Sequence, residues 1–268
     1  MKPGGNGSFP VFFRWKKTGE NGKIKRKSQL FVGLCKGDCI YAGLEAYVGV
    51  LWPFLWFLAA LGAAAFSCPH SFSVLEVTGI GAAAAILTLL AWERLQKGKG
   101  LTDRLFWGGK ALGCGWILIP AGISVCITLN GLLILTGLES ASGMYDGMAE
   151  LIYGSAVWEQ LLLSCLLIPF AEELVFRELG YGRLREEVGF GAAALITALF
   201  FGIYHLRPVQ AIYAAGLGLV LAAAYEKCGG FLAAFLVHAV SNLASVAMTL
   251  GEENNQLWNR RSAAAVFT

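Results

Sequence analysis

Long apolar blocks parted by short polar segments organise this chain, at about 45–66, 74–92, 111–137, 155–176, 190–204, 208–225 and 230–250. Several approach the roughly 20 residues that a helix needs to cross a 30 Å hydrocarbon core. Backbone in such a core must satisfy its own hydrogen bonds, which a helix does internally. The pattern predicts an all-α, polytopic membrane helix bundle with about seven transmembrane helices. The blocks at 190–204 and 208–225 are short and separated by Leu206-Arg207-Pro208. They are expected to form a tight helical hairpin packed inside the bundle rather than two fully lipid-exposed spans. Ala211, Ala215 and Gly218 are small enough to allow close helix approach.

Composition agrees with this reading. The 268 residues are 56% hydrophobic and 15% charged, with a mean hydropathy of +0.60, whereas soluble domains carry about a quarter charged residues. The charges are segregated. Nine Lys and Arg precede residue 40, against Glu20 and Asp38, so the chain divides into a basic tail at 1–39, a transmembrane helical domain at 40–250 and a C-terminal tail at 251–268. The basic tail lacks the apolar core and small-residue cleavage site of a signal peptide. Within it, Val11-Phe12-Phe13-Arg14-Trp15 and Lys23-Ile24-Lys25-Arg26-Lys27 flank Asn21-Gly22 in the manner of a small hairpin. Its aromatic and basic mixture also suits an anionic leaflet, although a solvated tail that enforces orientation is the simpler account.

With the N-terminus in the cytoplasm, the inside segments hold eighteen of the twenty-one Lys and Arg. These are nine in the tail, five at 94–110, three at 177–185, and Lys227. The outside segments hold Arg207, Arg260 and Arg261, and the 138–159 connection carries Glu139, Asp146, Glu150 and Glu159 without a single basic residue. The positive-inside rule therefore favours an N-in, C-out protein of the cell membrane, bacterial in character, with Trp92, Trp107 and Trp158 at its interfaces. Seven scattered cysteines give no disulfide framework, and Cys35 with Cys39 is one pair where a structural zinc site wants four ligands.

The chemistry concentrates in Ala171-Glu172-Glu173-Leu174-Val175-Phe176-Arg177, inside an apolar block. A charged residue at mid-bilayer costs about 2.5–3.5 kcal/mol on insertion scales, so such groups pair, face a protein interior and mark function. At i, i+4 on a helix, Glu173 and Arg177 are expected to pair, leaving Glu172 about 100° away and available. Phe201-Gly202-Ile203-Tyr204-His205 and His238-Ala239-Val240-Ser241-Asn242 bring two imidazoles and an amide to comparable depth. A carboxylate in apolar surroundings can take a proton from water with a nearby imidazole sharing the role. Asn242 and the N–H of His238 are candidate donors to an oxyanion. These parts describe peptide-bond hydrolysis at a site inside the bundle.

At these residues the chain resembles the CAAX prenyl endopeptidase and bacteriocin-processing (CPBP, Abi) family of intramembrane glutamic proteases, whose pattern is EExxxR, then FxxxH, then HxxxN on successive helices. The resemblance covers about 155–250, which it marks as the catalytic core. It implies that Glu172 and His205 activate water, that His238 and Asn242 stabilise the oxyanion, and that Glu173 with Arg177 supports the site, without a metal or other cofactor. It implies as substrate a membrane-associated or lipidated protein or peptide reached within the lipid bilayer, and no nucleic-acid partner. CAAX processing, maturation of a pheromone or bacteriocin leader, and self-immunity all remain open. Two other readings stand beside it. Glu172, His205 and His238 also compose a His₂Glu zinc set with an open fourth position, although no HExxH helix is present. A non-catalytic immunity or scaffold protein would keep the bundle alone, whereas here every motif position is filled.

Overall fold

Short, chemically marked turns set the order of the helices. Ser73 opens one of them with a capping box: Glu76 N–H donates to Ser73 Oγ at 3.1 Å and Ser73 N–H donates to Glu76 Oε2 at 2.7 Å. Gly189, at φ 84°, interrupts the helical backbone before Phe190. Gly229 and Gly230, at φ 100° and 92°, turn one helix directly into the next, and Gly230 N–H reaches back to Tyr225 O at 2.8 Å. Only glycine takes such angles without a Cβ penalty.

The computed structural model describes residues 38–97, Leu105, 111–138 and 155–266. The hairpin expected in the basic tail, the basic segment beyond Lys97, Trp107 and the acidic stretch 139–154 lie outside the described residues. Seven principal helices result: α1 (Asp38–Ser67), α2 (Val74–Lys97), α3 (Gly115–Leu135, entered through a 3₁₀ turn at Ala111–Cys114), α4 (157–188), α5 (Phe190–Tyr204), α6 (Pro208–Cys228) and α7 (Phe231–Val266). Among the described residues, five helices are long and apolar enough to cross a membrane: Val50–Ser67 of α1, Val74–Leu95 of α2, α3, α6, and Phe231–Gly251 of α7. The protein is an integral membrane helix bundle.

Neighbouring helices run up and down, and polar ties show which ends meet. The ends of α2, α4 and α6 are joined by Arg183 with Glu93 and by Arg185 with Glu226 at 2.8 Å, with Tyr181 donating to Glu226 at 2.7 Å. Val50, early in α1, packs against the cluster of Tyr181 and Leu184, so α1 starts at this same end.

The α5–α6 hairpin is not wholly enclosed, in contrast to expectation. Leu195, Leu199, Phe200 and Ile203 of α5 and Ile212 and Leu219 of α6 are exposed, giving the pair an outward apolar face. Its inward face is made of small residues. A Cβ on Gly202 would lie 2.6 Å from Ala211 O, and one on Gly218 would lie 3.0 Å from Ala198 Cα, so the two helices approach nearly backbone to backbone. Such a tight pair needs little width inside the bundle, which leaves its larger side chains to the surrounding apolar phase.

Candidate active site

Helix α4 is not regular. It is α-helical at Val157–Glu159, π-helical at Gln160–Leu167, α-helical at Ile168–Glu173, π-helical again at Leu174–Tyr181 and α-helical to Val188. The two π stretches bracket the glutamate pair, and π turns widen the hydrogen-bond step from four residues to five. The first has an identifiable consequence. Ile168 N–H donates to Leu163 O, so in the same register Ser164 O would await the N–H of residue 169. Residue 169 is proline and has none. The Ser164 carbonyl instead accepts Asn242 Nδ2 of α7 at 2.7 Å, which fixes the amide in place.

His205 is placed by a similar device. At the end of α5 its own N–H turns to Gly202 O at 3.1 Å, and its ring Nδ1 takes up Phe201 O at 2.7 Å. A carbonyl only accepts, so Nδ1 carries the proton and Nε2 is left as the lone-pair nitrogen in the neutral ring.

Glu173 and Arg177 are fully buried, with Arg177 Nε 3.3 Å from Glu173 Oε2. Arg177 also donates from Nη2 to Gly218 O at 3.3 Å, and its guanidinium carbon lies 4.4 Å over the Phe201 ring. Charge pairing, a carbonyl and a π face thus hold a cation that would otherwise be costly to bury. The sequence expectation counted Arg177 among the basic residues of a cytoplasmic segment. The structure corrects this: it is 0% exposed and belongs to the interior.

The partner that pattern reading did not foresee is His238. Its Nδ1 lies 2.8 Å from Glu173 Oε1, and its Nε2 lies 3.7 Å from Glu172 Oε2. The imidazole therefore stands between the two glutamates, bonded to Glu173 and facing Glu172. With Nδ1–H engaged by Glu173, Nε2 can donate a proton toward the cavity only when the ring is an imidazolium. Phe201 sits at the centre of the aromatic contacts, edge-on to both His205 and His238 at ring separations of 5.0 and 5.8 Å.

Glu172, His205, His238 and Asn242 all line one cavity of about 1130 Å³, whereas Glu173 and Arg177 do not line it. The remaining wall is mostly apolar, with Leu58, Leu61, Phe72, Leu75 and Leu133 among its residues, and with Tyr204 and Tyr213 near the polar end. Two features of the site escaped the motif reading. Gly218 O and Ser164 O are backbone groups that carry no motif, and only Pro169 announced one of them. Among the described residues no three His, Cys, Asp or Glu side chains group as ligands, and both His238 nitrogens already face carboxylates.

Fold and site together define an integral helical membrane protein that buries a carboxylate pair, an arginine and the His238 imidazole, with His205 half-buried, beside a large apolar cavity. Comparison with known proteins places it. Residues 154–244, about a third of the chain, match the family model described as type II CAAX prenyl endopeptidase Rce1-like. A Bacillus subtilis protein named "Putative membrane peptidase YdiL" is 28% identical over 102 residues, which are 38% of this chain and 42% of that relative. The chain thus spans less than half the length of that curated relative. No solved structure matches.

Proposed function

We propose that this protein is an intramembrane endopeptidase that hydrolyses a peptide bond of a membrane-associated protein or peptide. The observation that carries the reading is the segregation of the motif residues. Glu172, His205, His238 and Asn242 share one cavity wall, and Glu173 with Arg177 stands behind His238, away from it.

In this reading a water molecule is held between the Glu172 carboxylate and His205 Nε2. Glu172 accepts its proton as the oxygen attacks the scissile carbonyl carbon. The oxyanion that forms is met by the second N–H of Asn242, whose first is committed to Ser164 O, and by His238 Nε2–H when the ring is an imidazolium whose charge Glu173 balances. Collapse of the tetrahedral intermediate returns the proton from Glu172 to the departing amine. No step calls on a metal. The name of the Bacillus subtilis relative supports peptidase chemistry, and the family match supports a substrate tied to the membrane.

The experiment is a comparison of membrane peptidomes from cells carrying the wild-type chain and Glu172→Gln. Fragments that disappear in the variant identify the substrate and its cleavage site. Identical peptidomes, with the wild-type protein present at normal level, would instead favour a non-catalytic scaffold.

A further inference from the structure

The cavity belongs to one end of the bundle. It is lined by the last turns of α1 and α3, the first turns of α2 and α6, and the portions of α4 and α7 nearest those ends, represented by Ala65, Asn130, Val74, Pro208, Ser164 and Ser245. Its rim includes exposed Phe72 in the α1–α2 turn and Leu206, 88% exposed, in the α5–α6 turn. Leu206 holds φ 60°, a left-handed angle uncommon for a residue with a branched side chain, and the turn sets His205 and Arg207 on the same cavity wall. The opposite end of the bundle is where α1 begins, where α2, α4 and α6 finish, and where Arg183, Arg185 and Glu226 tie those helices.

Basic residues are unevenly divided between these two ends. With Arg177 set aside as a buried site residue, seventeen of the twenty-one Lys and Arg lie in the segments that join the end opposite the cavity. The segments that join the cavity end hold Arg207, Arg260 and Arg261. Basic residues in short loops next to spans stay in the cytoplasm, and a split of this size sets orientation. We infer that the cavity opens on the non-cytoplasmic face of the membrane. Resting on the proteolytic reading above, the substrate is then a translocated peptide segment, an exported peptide or the outer part of a membrane-anchored protein, presented to Glu172 from outside.

Two arms test this independently. Phe72→Cys and Lys227→Cys are treated in intact cells with a membrane-impermeant maleimide, and modification is assigned by mass spectrometry, with native Cys68 as a second reporter of the cavity end. Position 72 and Cys68 should react in intact cells and position 227 only after permeabilisation; the reverse overturns the inference. In the second arm, a pool of impermeant, internally quenched peptides is added to sealed right-side-out and inside-out vesicles carrying wild type or Glu172→Gln. Wild-type turnover should be at least tenfold higher in right-side-out vesicles, with the difference abolished by detergent. Turnover confined to inside-out vesicles overturns the sidedness and leaves the protease reading standing. If detergent-opened wild-type and Glu172→Gln vesicles behave alike, the protease reading fails, and labelling alone decides which way the cavity faces.

Discussion

His238 Nδ1 lies 2.8 Å from Glu173 Oε1, while the other carboxylate oxygen of Glu173 faces Arg177 Nε at 3.3 Å. One fully buried carboxylate therefore ties a cation and an imidazole together. Glu173→Gln leaves the Arg177 charge without its partner, at a cost of about 3–5 kcal/mol where desolvation is complete. Thermal stability and membrane level should fall together with activity. The double variant Glu173→Gln/Arg177→Gln should recover part of the stability, because two neutral amides one turn apart can hydrogen-bond. Melting temperatures in detergent check both, and a Glu173→Gln protein as stable as wild type would contradict the role.

Pro169 holds a second prediction. Pro169→Ala supplies the N–H that the π register lacks, and this donor competes with Asn242 for Ser164 O. A neutral hydrogen bond is worth about 0.5–1.5 kcal/mol net, so loosening Asn242 should lower kcat by up to about tenfold while the fold is kept. Kinetics on a quenched peptide, with circular dichroism as the control, measure it.

Gly218 tests the packing around the arginine. A Cβ there would stand 3.0 Å from Ala198 Cα and 3.2 Å from Arg177 Nη2, so Gly218→Ala must either part α5 from α6 or displace the guanidinium. Overpacking of this kind typically costs about 1–3 kcal/mol. The melting temperature should drop, whereas Gly113→Ala, with open space around its Cβ position, should not change it.

Metal dependence is the fourth. Activity of the purified protein should survive prolonged chelation, and metal analysis should find less than stoichiometric zinc. Loss of activity on chelation with recovery on adding zinc would overturn the glutamate mechanism.

The sequence already held the bundle and most of its spans, and it set Glu172, Glu173, Arg177, His205 and His238 apart, because ionisable groups in apolar blocks are costly enough to be informative. The Glu173–Arg177 pair was legible for the same reason, being local in the chain. What lay hidden was non-local. Glu173 and His238 are 65 residues apart, and no spacing rule links them. The irregularity of α4 left only Pro169 as a trace, and carbonyl acceptors such as Ser164 O and Gly218 O belong to the backbone, which every residue shares. The inward packing expected of the α5–α6 hairpin failed because block length alone does not say which face is small. Gly202 against Ala211 does.

The central claim is that Glu172 performs the proton transfer and Glu173 builds the site. Its most direct measurement is the turnover of a quenched peptide by purified wild type and Glu172→Gln, alongside the melting temperature of each in the same detergent. Glutamine keeps the volume and hydrogen-bonding reach of the side chain and removes the proton acceptor, so turnover should fall by a factor of about 10²–10⁴ with the melting temperature unchanged. Full turnover by Glu172→Gln, together with a Glu173→Gln protein that is stable yet inactive, would contradict the account and make Glu173 the base.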